Sequence, residues 1–258
     1  MARLPRIKSK SGIYHVMLRG TNKQAIFRDE EDLCRFIGTL ARYKRESGIK
    51  IYAWCLMINH VHLVLQEGKE KLFETMKRIG VSYAWYYHLK YNTTGHLFQD
   101  RFRSESIEED EYLLTVVRYI HQNPVKAGLV KKPADWQWSS CRDYYGIDHS
   151  HPLLLDSDFV SGILSQRENG GIEVFKEFNE IKTDDRCLEE DYRNRFTDEQ
   201  ASAEIRTVAG DIDIAKIKDL PKARRNELVG RIKEIDGITQ RQISRILGIP
   251  LSLISRAE

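Results

Sequence analysis

Two histidines flank a single valine at His60-Val61-His62, a spacing that suits metal ligation if the segment is a strand. Side chains alternate along a strand, so both imidazoles point to one face while Val61 points into the other, toward a core. Two neutral imidazoles side by side form a two-armed ligand for a divalent ion, although the pattern also fits a pair of structural histidines. A metal site needs a third ligand. The best source is a helical segment at 108–122, where Tyr119, His121, Gln122 and Asn123 fall within one turn. Residues i and i+4 lie about 40° apart around a helix, so Tyr119 and Asn123 share a face and can approach one ion. His121 points about 200° away from Tyr119, and Gln122, about 60° to the other side, is second choice. Asn123 precedes Pro124, which biases its backbone away from the helical region.

Periodicity supplies the elements that would hold these side chains. Residues 13–19 (IYHVMLR) alternate β-branched and aromatic side chains up to Gly20, which predicts a first strand. Residues 29–47 open on acids and carry Leu33, Phe36, Ile37, Leu40 and Tyr43 at helical spacing before Gly48, which predicts a helix. Residues 50–58 and 61–66 read as neighbouring central strands, 71–91 as an aromatic-rich helix, and 102–107 as another strand. Residues 108–122 then form a helix that opens on four acids and is stopped by Pro124. The order β-α-β-β-α-β-α implies an α+β fold, an antiparallel sheet with packed helices. On that helix 71–91, Tyr83, Trp85, Tyr86 and Tyr87 are expected to serve packing rather than base stacking.

Composition narrows the function classes. The 258 residues are 41% apolar and 31% charged, the balance of a globular chain. The longest uncharged stretch, 51–66, is too short for a membrane span, and the basic first ten residues lack the apolar core of a signal peptide. Four scattered cysteines without a CxxC pair exclude a zinc ribbon and argue against a disulfide framework, which makes the cytoplasm the default compartment. The net charge of +3 hides three blocks: +8 over 1–146, −8 over 147–200 and +3 over 201–258. Two basic ends separated by an acidic middle fit a partner that is a polyanion, since phosphate neutralisation dominates nucleic-acid affinity.

Three regions follow: a first domain over 1–147, an acidic linker with short helices over 148–199, and a helical domain over 200–258. Within the last, residues 239–256 (TQRQISRILGIPLSLISR) have the form of a helix-turn-helix. Ile243, Ile246 and Leu247 face inward on one helix, Gly248 turns the chain, and Pro250 opens a second helix with Leu253 and Ile254 inward. The outer face, with Ser252, Ser255 and Arg256, would meet duplex DNA.

The first domain resembles the REP-associated tyrosine transposases, a branch of the single-tyrosine HUH transposases, over roughly residues 13–145. Five ordered blocks carry the resemblance. They are Tyr14-His15-Val16 with Arg19-Gly20 and Asn22, then Ala53-Trp54-Cys55-Leu56-Met57 leading into Asn59-His60-Val61-His62-Leu63, then Gly95-His96-Leu97-Phe98-Gln99. Tyr119-Ile120-His121-Gln122-Asn123-Pro124-Val125 with Ala127-Gly128 follows, and then Trp136 and Trp138-Ser139-Ser140. Ile58 stands where a proline is usual, and Asp100 where a glycine is usual. The resemblance implies an HUH fold of ferredoxin or RRM type, His60, His62 and Asn123 as ligands of Mg²⁺ or Mn²⁺, and Tyr119 as nucleophile. It also implies a single-stranded DNA hairpin as substrate, handled by a monomer or a homodimer. The C-terminal region is similar to the helix-turn-helix of the bacterial replication initiator.

The residue types suit that chemistry on their own terms. A free tyrosine has a pKa near 10, so forming its phenolate at neutral pH costs about 4 kcal/mol. A divalent ion beside the phosphate supplies several kcal/mol of transition-state stabilisation, and attack by Tyr119 leaves a 5′-phosphotyrosine and a free 3′-OH. The covalent ester stores the cleaved bond for rejoining without ATP. Arg19, Arg101, Arg103 and His15 are candidate phosphate contacts, and Tyr112, seven residues before Tyr119, is the fallback nucleophile. The alternative from another class is a DNA-binding regulator that no longer cleaves, which would have no need for the full set His60, His62, Tyr119 and Asn123.

Overall fold

A computed structural model describes residues 8–147, 154–167, 171–183, 185, 187–188, 196–210, 212–235 and 237–256. The chain divides into two compact units after Leu188. In the first, strands β1 (Ile13–Arg19), β2 (Lys50–Met57), β3 (His60–Gln66) and β4 (Arg103–Ile107) form one antiparallel sheet in the order β2-β3-β1-β4. Helices α1 (Glu30–Ser47) and α2 (Leu72–Tyr91) connect β1 to β2 and β3 to β4. This is the β-α-β-β-α-β arrangement of ferredoxin-like folds. Among the described residues, no helix is long and apolar enough to cross a membrane.

Both faces of the sheet are covered, and the period of two sorts the side chains between them. Tyr14, Val16, Leu18, Trp54, Leu56, Val61, Leu63 and Leu65 point to the side where α1 and α2 pack. Ile13, Ala53, Cys55, Met57, Val64 and Ile107 point to the opposite side, against α3 (Asp110–Lys126). Local signals set the helix ends. Asp29 caps α1, its Oδ1 accepting from Asp32 N at 3.1 Å, which contributes about 1 kcal/mol. Gly48 ends α1 at φ 70°, a left-handed conformation that favours glycine. Tyr83 and Tyr87 are core residues, as their helical spacing predicts, and their hydroxyls donate to the carbonyls of Ile26 and Ala25 at 2.6 and 3.0 Å.

Two expectations are corrected. The helix predicted to stop at Pro124 runs on to Lys126 with the proline inside it. Pro124 deprives only the Ile120 carbonyl of its usual donor, its ring is buried, and Ala127 N closes the last turn on Asn123 O at 2.9 Å. The stretch 148–199, expected as an acidic linker with short helices, does carry the helices α5 (Ser157–Arg167) and α6 (Ile172–Glu180), but both fall within the first unit. Val160, Ile163, Leu164 and Phe175 join the core beneath α3, while Asp158, Glu173 and Glu177 are exposed. Between them and α3, a short helix α4 (Cys141–Tyr144) follows the segment 136–140, which pairs with the free edge of β2. Leu56 N donates to Trp138 O at 2.8 Å and Ser140 N to Trp54 O at 2.9 Å, so that edge is closed.

The second unit contains α7 (Asp198–Ala209), α8 (Lys222–Lys233), α9 (Gln240–Leu247) and α10 (Leu251–Arg256). Ile205, Leu228, Val229, Ile232, Ile243, Leu247 and Ile254 form its core. Thr239 caps α9 reciprocally with Gln242, and Gly248 at φ 63° turns the chain into α10. Residues 239–256, expected as a helix-turn-helix, form two helices around that turn, with α10 beginning at Leu251 rather than at Pro250 and with Leu253, expected inward, exposed while Ile254 is buried.

Candidate active site

The β2–β3 hairpin places the two histidines. Its turn is only Ile58 and Asn59, so Met57 pairs with His60 and Cys55 with His62, and both imidazoles leave the sheet on the α3 side. Neighbouring backbone clasps the hairpin tip: Ile58 O accepts from Ile26 N at 2.9 Å and from Phe27 N at 3.1 Å, and Asn59 O from Gly20 N at 2.9 Å. Gly20 is required there, because a Cβ at this position would lie 2.3 Å from Gln24 O.

The ring centroids of His60 and His62 are 5.0 Å apart, edge to face. Tyr119, buried on α3, stands with its ring 5.8 Å from that of His62 and 6.0 Å from that of His15. Asn123 follows one turn later, its Nδ2 donating to Tyr119 O at 3.0 Å, so the amide oxygen is the atom it could offer an ion. Burial pushes His62 well below the usual histidine range, with the neighbouring His60 and His15 adding to the effect. Burial alone lowers His15 to about 3. Both rings are therefore neutral at neutral pH, the form that ligates metals.

Among the described residues, no three His, Cys, Asp or Glu side chains come together as a metal site. Two imidazoles and a neutral amide nevertheless fit a divalent ion that draws its remaining ligands from water and phosphate oxygens, the habit of Mg²⁺. Nδ1 of each histidine is already engaged, by Asn59 Oδ1 at 2.7 Å for His60 and by His15 Nε2 at 3.0 Å for His62. Nε2 is thus the nitrogen each can offer. An amide oxygen only accepts, so Asn59 fixes the proton of His60 on Nδ1.

The other expected residues separate into groups. Arg19 lies opposite His60 in the β1–β3 register and Arg103 opposite Met17 in the β1–β4 register, so both share the face of the histidines. Arg101 is exposed just before β4. Ser252, Ser255 and Arg256 are exposed on α10 in the second unit. His121 is fully buried away from the cluster, its Nε2 2.8 Å from Ser140 Oγ and its Nδ1 3.1 Å from Asn179 Oδ1. Gln122, the second-choice ligand, donates through Nε2 to the carbonyls of Asn179 and Ile181 at 2.8 and 2.6 Å, holding α6 rather than an ion. Tyr112, the fallback nucleophile, is hydrogen-bonded to Glu105 and Cys187, and burial first, then the Glu105 bond, pushes its phenol up.

Asn59 and Lys126 were not among the expected site residues, and His15 was expected only as a phosphate contact. Asn59 directly precedes the first histidine in the turn, and Lys126 follows Tyr119 by seven residues on the same helix face. Lys126 Nζ lies 4.7 Å from the centre of the Tyr119 ring, where its charge favours negative charge on the phenol.

Residues 8–123 match the family described as "Transposase IS200 like". The chain is 28% identical over 163 residues to the REP-associated tyrosine transposase of Escherichia coli strain K12, covering 60% of this chain and 92% of that protein. It also aligns with a solved structure described as "Structure of the REP associates tyrosine transposase bound to a REP hairpin", at 21% identity and a TM-score of 0.48, over 60% of this chain and 90% of the other. Over residues 8–123, then, this chain is similar to the IS200-like transposases.

Proposed function

We propose that this protein is a metal-dependent endonuclease and strand-transferase acting on single-stranded DNA hairpins. His60, His62 and Asn123 hold the ion, Mg²⁺ or Mn²⁺, and Tyr119 is the nucleophile. The observation that carries this reading is the cluster of the His60, His62 and Tyr119 rings on one face of the sheet, with Asn123 one helical turn beyond Tyr119. The hairpin as substrate follows from the likeness to the REP-associated tyrosine transposases.

When bound, the ion supplies positive charge beside the scissile phosphate. Tyr119 Oη forms a bond to phosphorus as the bond from phosphorus to O3′ breaks. The phenolic proton of Tyr119 passes to solvent, the departing O3′ takes one up in its place, and the 5′ end stays on Tyr119 as a phosphotyrosine. Lys126 on the ring of Tyr119 favours the phenolate both as it attacks and as it later leaves. A 3′-OH then attacks the same phosphorus and expels Tyr119, restoring a phosphodiester. Arg19, Arg101 and Arg103 bind backbone phosphates and set the register of the strand without reading bases. In the second unit, Ser252, Ser255 and Arg256 contact duplex DNA.

The test is incubation of the protein with single-stranded hairpins from the flanks of its own gene in the presence of Mg²⁺, followed by a denaturing gel. A covalent protein–DNA adduct that requires Tyr119 supports the reading. Hairpin binding with no adduct in either Mg²⁺ or Mn²⁺ would leave the non-cleaving regulator in its place.

A further inference from the structure

His15 is fully buried, lies in contact with a proposed metal ligand, and has no part in the chemistry above. It sits on β1 opposite Val64, one diagonal step from His62, and the two ring centroids are 5.2 Å apart. The contact between His15 Nε2 and His62 Nδ1, at 3.0 Å, holds a single proton between two neutral rings, so one nitrogen donates and the other accepts. The direction matters. If His15 donates, His62 carries its own proton on Nε2 and that nitrogen cannot ligate. If His62 donates, its Nε2 is bare, and the proton of His15 must sit on Nδ1.

What faces His15 Nδ1 decides between the two. That atom is buried without a hydrogen-bond partner among the described residues, and Glu105 Oε2 lies 3.9 Å from it. Glu105 is the residue opposite His15 in the β1–β4 register. A carboxylate attracts an N–H and repels a nitrogen lone pair, and the preference is strong where water is excluded. Glu105 is itself held, since Leu188 N donates to its Oε2 at 3.1 Å and the Tyr112 hydroxyl is bonded to it as well.

We propose that Glu105 and His15 are positioning residues for His62: Glu105 draws the His15 proton to Nδ1, His15 Nε2 accepts from His62 Nδ1–H, and His62 Nε2 is left bare for the ion. The relay rests on the metal-site reading given above. Asn59 does the same for His60 by a separate route, so each histidine has its own orienting partner. Outer partners of this kind typically change metal affinity about 10- to 100-fold.

The experiment uses the full chain without DNA and has two readouts. In metal-free protein labelled with ¹⁵N-histidine, NMR reports which ring nitrogen of His62 carries the proton, and a titration reports Mn²⁺ affinity. The expected result is His62 protonated on Nδ1, with Mn²⁺ binding weakened about tenfold or more in His15→Leu. His15→Gln, which keeps an acceptor, should recover most of the loss. Glu105→Gln, at a half-exposed position, should shift part of the His62 population to the other tautomer and weaken Mn²⁺ several-fold, and it carries the test by itself if His15→Leu does not fold. Normal Mn²⁺ binding by a His62 that is protonated on Nε2 in the metal-free protein, or that is indifferent to both Glu105→Gln and His15→Leu, overturns the relay alone. A wild-type protein that binds no Mn²⁺ overturns the metal site on which the relay rests.

Discussion

His121 on α3 and Asn179 on α6, 58 residues apart in sequence, meet in the interior through Nδ1 and Oδ1 at 3.1 Å. Asn179 also donates through Nδ2 to Tyr145 Oη at 3.1 Å, and Gln122 donates to its backbone carbonyl. The helix that carries Tyr119 is therefore braced from behind by the region that composition marks as a linker. Truncation after residue 147 would remove the partners of His121 Nδ1 and of Gln122 Nε2, leaving His121 only its Ser140 contact, and would bare the apolar side of α3, a loss of several kcal/mol. A chain ending at 147 should be largely insoluble or molten, whereas one ending at 188 should show a cooperative thermal transition by circular dichroism. Equal transitions in the two would show that α5 and α6 add nothing to the unit.

Tyr119→Phe removes only the phenolic oxygen from a ring whose packing stays in place. Covalent adduct and cleavage should fall below detection while hairpin affinity stays within about twofold, as measured by gel shift. Tyr112→Phe should keep forming adduct, because that hydroxyl is tied to Glu105 and Cys187. An adduct that survives Tyr119→Phe and disappears with Tyr112→Phe would reverse the assignment.

His60→Ala and His62→Ala should each abolish adduct and the response to Mg²⁺ or Mn²⁺ together, since the two protein ligands that remain hold a hard ion poorly. The measurement is adduct yield against metal concentration. A variant whose metal dependence is unchanged would make the pair structural.

Acidification should destabilise the first unit through histidines buried as neutral rings. Burial lowers His121 to about 4, against the Asn179 hydrogen bond that works the other way. The unfolded chain takes up a proton near pH 6.5 and the folded one only near 4, so this contribution is present above about 6.5 and is lost as pH falls from there toward about 4. Each such group steepens the fall by up to about 1.4 kcal/mol per pH unit. Urea unfolding across that range should show a stability that drops with acid. His121→Gln, less stable at neutral pH, should show a slope shallower by about one proton, and an unchanged slope would count against a neutral buried His121.

The second unit should add phosphate contacts to those of the first. On a hairpin with a duplex flank, the full chain should bind more tightly than a chain ending at 188, and its affinity should fall more steeply with salt, by about one unit of log–log slope per phosphate contacted. Adduct chemistry should persist in the shorter chain. Equal slopes and equal affinities would assign α7–α10 to packing or protein association.

Short-range pattern was enough for the β-α-β-β-α-β-α order, the two helices on either side of Gly248 and the pairing of His60 with His62, because strand alternation and the helical 3.6 period are local properties of backbone geometry. The same period separated Tyr119 and Asn123 from His121 on α3, and the structure sends His121 into the core beside Ser140. Pro124 misled by a turn, since a proline's cost to a helix depends on what packs against its ring, which is a long-range matter. Charge misled over 148–199, because net acidity describes the outer face of a helix and is silent about Val160, Leu164 and Phe175 turned inward. The link from Glu105 through His15 to His62 was out of reach in the sequence for the same reason. Its three residues come from three strands, and only the register of β4, β1 and β3, set by which faces the two helical layers bury, brings their side chains together.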